Sequence, residues 1–265
     1  MSFALGLLRS DPIRPELALL ALELARVSGV VVVSPIPWNN TPSRIRVGLI
    51  IFLLAVVHHM GASPVTEIQS AAWAAVHIST EFIVGVSIGL VVRLSIAAAE
   101  IAGSTLALPM GFTAARAYDP SFGQSETSLG QLLRNLTLLV ALIGGFHRVM
   151  LGALLSSFRL LPVGTVLHIE ASFPLFLELS SLVIGVGVRL ALPVLAILLM
   201  ANVALGFISR AAPSMQIFNI GFAVLFATGA IGLFLGMPEF SHELGQSFSR
   251  NAVYFERLLS DLAQR

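Results

Sequence analysis

Three stretches of this chain contain no Asp, Glu or Arg, and nothing else restricts its fold as tightly. They are Val47–Thr66 (20 residues), Leu190–Ser209 (20) and Ala211–Pro238 (28). At about 1.5 Å per residue, roughly 20 residues of helix cross the hydrocarbon core of a bilayer. Only 11% of the 265 residues are charged and 56% are hydrophobic, whereas a soluble domain carries about 25% charged residues. Such a chain cannot cover its surface with polar groups, so lipid or a protein assembly must accept much of it. A soluble enzyme, a disordered tail and a nucleic-acid binder are all poor fits.

The charges that exist narrow the chemistry further. Fifteen basic and 14 acidic residues give a net charge of +1, without the basic excess that tracks a phosphate backbone, so no nucleic-acid partner is expected. Every basic residue is Arg, which leaves no Lys for a phosphate loop or a Schiff base. Cys is absent, excluding disulfides, thiolate metal sites and Cys nucleophiles. Met1 to Pro15 lacks a positive segment running into an apolar stretch with a small-residue cleavage site, so no cleaved signal peptide is expected. No cofactor or metal is called for.

The expected fold is all-α, an integral membrane protein of six to seven hydrophobic helices arranged as hairpins with helix-breaking loops between them. No segment alternates with strand period. Residues 1–265 are expected to form a single membrane domain, with Glu239–Arg265, which carries three Arg and four acids, as an amphipathic helical tail in water or at an interface. The 38-residue block Ala71–Leu108 exceeds one span and predicts two helices, or one broken near Arg93. Turn chemistry separates the apolar blocks at Ser34–Pro42, at Pro109–Gln124 and at Leu161-Pro162-Val163-Gly164. Arg is spread over both terminal segments and most loops, so the positive-inside rule sets no orientation.

Small and polar residues recur at helical spacing. Glu81, Gly85, Gly89 and Arg93 form one row, Asn202, Gly206 and Arg210 a second, Gly144, Arg148 and Gly152 a third, and Thr228, Gly232 and Gly236 a fourth. In lipid, small residues let helices approach and polar side chains bond across the contact, within one subunit or between subunits. Glu23, Arg26, Glu81, Arg93, Glu100, Arg148 and Arg189 each sit amid apolar residues. A charge at the bilayer centre costs about 2.5–3.5 kcal/mol on insertion scales. Glu23 and Arg26, three residues apart, can pair locally; the others predict helices facing a polar passage or a neighbouring subunit. Glu81, Glu100 and Arg189 would also suit a secondary transporter binding ions or solute at mid-membrane, although no inverted repeat of hydropathy accompanies them.

Gly85-Val86-Ser87-Ile88-Gly89 matches the G-x-S-x-G nucleophile elbow, and an intramembrane protease could pair Ser87 with His77 or His147. That chemistry needs a strand, a strained turn and a helix, whereas the pentapeptide lies in one helical apolar run. Adjacent His58 and His59 point about 100° apart on a helix, a poor metal site. The chain is not expected to be an enzyme. The segment Leu108-Pro109-Met110-Gly111-Phe112 is apolar and irregular around a permissive Gly. It suits either a re-entrant turn buried in protein or a hydrophobic plug closing a passage.

Taken in order, the punctuation resembles the flagellar biosynthetic protein FliR family. Ala25-Arg26…Gly29, Pro35/Pro37…Pro42…Arg46, Glu81…Gly85…Gly89…Glu100…Gly103, Gly111-Phe112 and Tyr118-Asp119-Pro120 carry the first half of the resemblance. Gly144-Gly145-Phe146-His147, Ser157-Phe158…Leu161-Pro162-Val163-Gly164 and Asn202…Leu205-Gly206…Arg210…Pro213-Ser214-Met215-Gln216-Ile217-Phe218-Asn219…Gly221-Phe222 carry the second. It covers roughly residues 20–236. Gln216 stands where the family commonly has Asn. The resemblance implies a non-enzymatic subunit of the type III export gate in the bacterial inner membrane, at the flagellar basal body. Such a subunit assembles with FliP-, FliQ- and FlhB-type subunits and passes unfolded proteins. An injectisome paralogue shares the pattern; the Asp119-Pro120 loop and the uncharged Ala211–Pro238 lean toward the flagellar branch. The family places a pore-closing plug in the loop corresponding to Leu106–Phe122, so Leu108, Met110, Gly111 and Phe112 are the expected seal. Asn202, Gly206 and Arg210 are the expected inter-helix row, and Asp119, Pro120, Pro213 and Phe218 shape the loops.

Overall fold

The computed structural model describes residues 15–35, 41–61, 71–111, 128–164, 169–211 and 217–263. Seven α-helices occupy them: α1 (Pro15–Val33), α2 (Ser43–His59), α3 (Ala71–Ala107), α4 (Ser128–Ile143), α5 (Phe146–Leu160), α6 (Phe173–Ala211) and α7 (Ile217–Ala263). One 3-10 turn, Ile169–Ser172, leads into α6. Among the described residues there is no strand, and the protein is an all-α membrane protein. Three helices are long and apolar enough to cross a bilayer, within Ala72–Ala107, Glu170–Ala211 and Gly221–Ala263.

Local chemistry sets most helix ends. Pro42 stands at the N-cap of α2, where its missing N–H costs nothing. The helix is interrupted between α4 and α5 by a turn at Gly144 and Gly145. Gly145 makes that turn at φ +72°, a left-handed conformation that a side chain would oppose, while its N–H bonds the Leu142 carbonyl at 3.1 Å. The same turn takes Gly144 off the helix carrying Arg148 and Gly152, so the row expected there does not exist.

Two sequence expectations fail at this level. α3 runs unbroken for 37 residues, about 56 Å of helix, with no interruption at Arg93. α7 continues through Pro238 for 47 residues, so Glu239–Arg265 does not start a new helix. α6 likewise contains Pro193. Each proline deprives one carbonyl, that of Arg189 or Phe234, of its i+4 donor. One missing bond inside a long apolar helix is tolerated where neighbouring segments re-satisfy the backbone.

The chain groups into two compact units, each discontinuous in sequence. Unit 1 comprises Met1–Arg93, His147–Leu177 and Asn251–Arg265. Its core holds Leu22, Val27, Val30, Val84, Ile88 and Leu154, all buried. α1 crosses α3 backbone on backbone: a Cβ on Gly29 would run into the Phe82 carbonyl, and one on Gly85 into that of Arg26. One on Gly89 would stand 3.0 Å from the Val30 carbonyl. Two glycines one turn apart on α3 and a third on α1 thus admit a contact that alanine would wedge open.

Unit 2 comprises Leu94–Phe146 and Glu178–Arg250. Ala98, Val183 and Val186 form a buried cluster flanked by Leu94, Ile101 and Leu190. α3 meets α4 where a Cβ on Gly103 would lie 2.6 Å from the Gly130 Cα, and α6 meets α3 where one on Gly187 would lie 2.7 Å from the Ala98 carbonyl. α6 and α7 run antiparallel here, because Gly221 approaches Leu205 while Gly232 approaches Val194 and Ile197.

Candidate functional site

Two arrangements carry the unusual chemistry, one in each unit. In unit 1 the Arg26 and Glu81 side chains are completely buried. Arg26 Nε donates to Glu81 Oε2 at 2.6 Å, and Nη2 lies 2.6 Å from the same oxygen. Arg26 Nη1 donates to the carbonyls of Ser157 at 2.9 Å and Leu161 at 3.1 Å, and the guanidinium carbon stands 4.5 Å from the Phe158 ring centre. Glu81 Oε1 accepts the Gly164 N–H at 2.9 Å. Buried charges persist when the remaining donors and acceptors are satisfied as well. Arg26 meets that need at carbonyls where α5 ends and intrahelical donors run out; it shares the Ser157 carbonyl with the Leu161 N–H, which bonds it at 2.9 Å.

This network overturns three expectations. Arg26 does not pair with Glu23, because α3 and the end of α5 offer it four contacts; Glu23 instead takes His58 of α2, with 3.2 Å from Nδ1 to Oε2. Glu81 faces neither a passage nor a neighbouring subunit, but the inside of its own chain. Both its oxygens are occupied, which leaves no ligand for the ion of a transporter. Gly85 and Gly89 lie on the same α1-facing side of α3, while Arg93 is exposed. Farther along, Glu100 pairs with Arg134 of α4 at 3.5 Å.

The G-x-S-x-G pentapeptide is plain helix. Ser87 is buried and its hydroxyl donates to the Ile83 carbonyl at 2.9 Å, with no elbow to expose it. His77 stacks on Trp73 with ring centres 4.1 Å apart. It stands ten residues before Ser87 on α3, about 15 Å along the axis.

In unit 2, the end of α3 turns through Leu108–Gly111. Met110 N–H bonds the Leu106 carbonyl at 3.1 Å and Gly111 N–H the Leu108 carbonyl at 3.0 Å. Met110 is buried, and its side chain fills the space above Gly229 of α7, where a Cβ would lie 2.5 Å from the Met110 Cε. Gly111 has φ +83° and backs onto the Phe222 ring, 2.6 Å from where its Cβ would be. Only Gly fits both the backbone angle and the ring. Leu108 is 70% exposed. Leu108, Pro109 and Gly111 share one groove with Asn202, Gly206 and Phe222, so two sets that the sequence kept apart come together. Asn202 donates within α6, to the Leu198 carbonyl at 2.9 Å. Gly206 has nothing within 4 Å of a built Cβ, and Arg210 is exposed; this row lines an open face. Phe112, Asp119, Pro120 and Pro213 lie outside the described residues. Phe218 falls in the first turn of α7.

Sequence reasoning missed Gly229 and gave no role to Phe222, which also holds the turn, or to Ser157 and Leu161, which hold Arg26, although it quoted these three in the resemblance. A Gly three residues from another in an apolar helix was the available signal for Gly229. Backbone carbonyls leave none.

Residues 17–251 match the family model of bacterial export proteins, family 1. The chain belongs to the FliR family of bacterial export proteins. It is 30% identical to the flagellar biosynthetic protein FliR of Escherichia coli K12 over 242 residues, 90% of this chain and 92% of that protein. The FliR proteins of Pectobacterium carotovorum, 30% identical over 74% of this chain and 75% of the relative, and Bacillus subtilis, 28% over 90% and 93%, are similarly related. This FliR-family chain is therefore a flagellar export component, with three helices long and apolar enough to cross a membrane.

Proposed function

We propose that this chain is a subunit of the type III protein export gate in the bacterial inner membrane, at the flagellar basal body. It assembles with FliP-, FliQ- and FlhB-type subunits around a channel that passes unfolded flagellar proteins. The flagellar names of the relatives quoted above favour this branch over an injectisome gate. The turn Leu108–Gly111, together with Phe112, is the channel's hydrophobic seal.

The observation that carries this reading is the mounting of the turn. Met110 and Gly111 are fixed on Gly229 and Phe222, while Leu108 and the Asn202–Gly206 face stay open in the same groove. A seal must be apolar where it excludes water and ions, and must stay attached when it yields. A turn pinned by two residues and presenting a third meets both needs. The faces of α6 and α7 add support: Met200, Phe207, Phe234 and Leu235 are all at least 70% exposed, more apolar surface than a lone chain would present.

The test is membrane conductance in cells expressing the whole gate. Met110→Ala with Phe112→Ala removes two bulky apolar side chains from the proposed seal, and the expected result is a leak of small ions that the wild type does not show. Unchanged conductance with normal gate assembly would remove the seal from this turn.

A further inference from the structure

Unit 2 contains a cavity of about 610 Å³ behind the Leu108–Gly111 turn. Its walls include Leu133 and Leu136 of α4, Val194 of α6 and Phe226 and Leu233 of α7, with Met110 as part of the lining. Its few charged residues are Arg189, Glu239 and Glu243. The volume falls within the roughly 300–1,000 Å³ of ligand pockets, whose walls are likewise mostly apolar with a few polar groups.

The antiparallel register of α6 and α7 fixes where the charges lie. Gly221 sits beside Leu205 and Gly232 beside Val194 and Ile197, so Arg189 is level with Met237–Glu239. All three charged residues therefore gather at one end, at the level where the uncharged runs of both helices stop. The apolar wall then extends along α7 from Glu239 back to Phe226, 13 residues or about 20 Å. One leaflet contributes about 15 Å of the hydrocarbon core. Phe234, 79% exposed, stands at the cavity's open side.

The charged end is open: Arg189 and Glu239 are exposed and Glu243 is half-buried. Arg189 makes no hydrogen bond or ion pair with the described residues, and neither Glu239 nor Glu243 reaches it as a salt bridge. Glu239 and Glu243 are four apart on α7 and share a face. A ligand completing this end needs an anion for Arg189 and a cation for the two carboxylates. Guanidinium recognises phosphate in a bidentate fork. We infer that the cavity takes the headgroup and one acyl chain of a phospholipid with a zwitterionic, primary-amine headgroup: phosphodiester on Arg189, ammonium on Glu239 and Glu243, that chain along the apolar wall past Met110, and the second chain outside through the open side.

The test uses the full chain, purified and delipidated, titrated with synthetic dioleoyl phosphatidylethanolamine or dioleoyl phosphatidylglycerol, with bound lipid counted by native mass spectrometry. One phosphatidylethanolamine should bind at least tenfold more tightly than phosphatidylglycerol. Arg189→Ala should weaken that binding about tenfold, and Glu239→Gln with Glu243→Gln should erase the preference between the two lipids. Ala230→Trp should block binding with helix content and monodispersity unchanged; Leu133→Phe, a smaller filling, serves if the Trp variant misfolds. Equal binding of both lipids, or binding indifferent to the filling variants, would overturn the site. So would loss of the lipid on assembly with the partner subunits, which would give the cavity to a protein. None of these readouts depends on whether the gate conducts or exports.

Discussion

At the scale of single residues, the protein separates charges that hold it together from charges left open. Arg26 and Glu81 belong to the first kind. Removing one member of a buried pair leaves the other uncompensated, at a cost of about 3–5 kcal/mol. Arg26→Met is accordingly expected to lower the thermal midpoint of the detergent-purified chain by far more than Arg93→Met, since Arg93 is exposed. Replacing both members, Arg26→Met with Glu81→Leu, should recover much of the loss, because isosteric apolar pairs replace buried ion pairs at little cost. An undiminished midpoint in Arg26→Met alone would show that the pair contributes no net stability. Sequence spacing located these charges and their apolar surroundings but misassigned their partners. The nearest acid, Glu23, was three residues from Arg26, while the true partners lie 55, 131 and 135 positions away, beyond any local pattern.

Between elements, glycine sets the spacing, and its positions divide by what a methyl would meet. Gly85→Ala would drive a Cβ into the Arg26 carbonyl and pry α1 from α3, disturbing the ion pair one turn away. Gly206→Ala meets nothing. The first substitution should give aggregated or proteolysed protein, and the second a chain that folds normally in detergent, as read by gel filtration and limited proteolysis. Gly89→Leu belongs with Gly85: it fails at the α1–α3 crossing inside the chain, before any partner is met. At the α4–α5 break, Gly145→Ala forces a side chain into left-handed backbone and should cost about 1–2 kcal/mol. The Gly and Pro punctuation made the Leu108–Gly111 turn and the start of α2 legible, but not the α4–α5 break, where Gly144, Arg148 and Gly152 read as one helical row. It misled at Pro238, where an apolar-to-charged change in composition coincided with a proline and suggested a boundary. Helix continuity there is decided by tertiary surroundings, which composition does not encode.

For the whole molecule, the decisive property is how little of its longest apolar helices the chain covers. Within its most apolar window, α7 is only 17% buried, and α6 33%. α3, which carries Glu81 and the glycine crossing, is 61% buried. The first two must be wrapped by lipid or by other subunits, and the all-α membrane class was visible in the uncharged runs that build them. The identity of the cover was not visible, because an apolar surface records only that water is excluded. Co-expression with the partner subunits should therefore protect α6 and α7, but not the already buried α3, from a membrane-dissolved carbene label. Equal labelling with and without partners would leave lipid as the only cover.

Since the wild-type chain contains no Cys, one engineered thiol gives a unique chemical address. Leu108→Cys places it at the exposed tip of the turn, in the groove shared with Asn202 and Gly206. Disulfide trapping from this position to a flagellar export substrate that carries a single Cys and is stalled in transit tests the gate directly. The account predicts a trapped adduct that requires active export and is absent from Val253→Cys, a comparably exposed apolar position on the distal part of α7. An adduct equally strong at both positions, or none at 108 while the substrate is demonstrably stalled, would contradict the placement of this turn in the path of the exported chain.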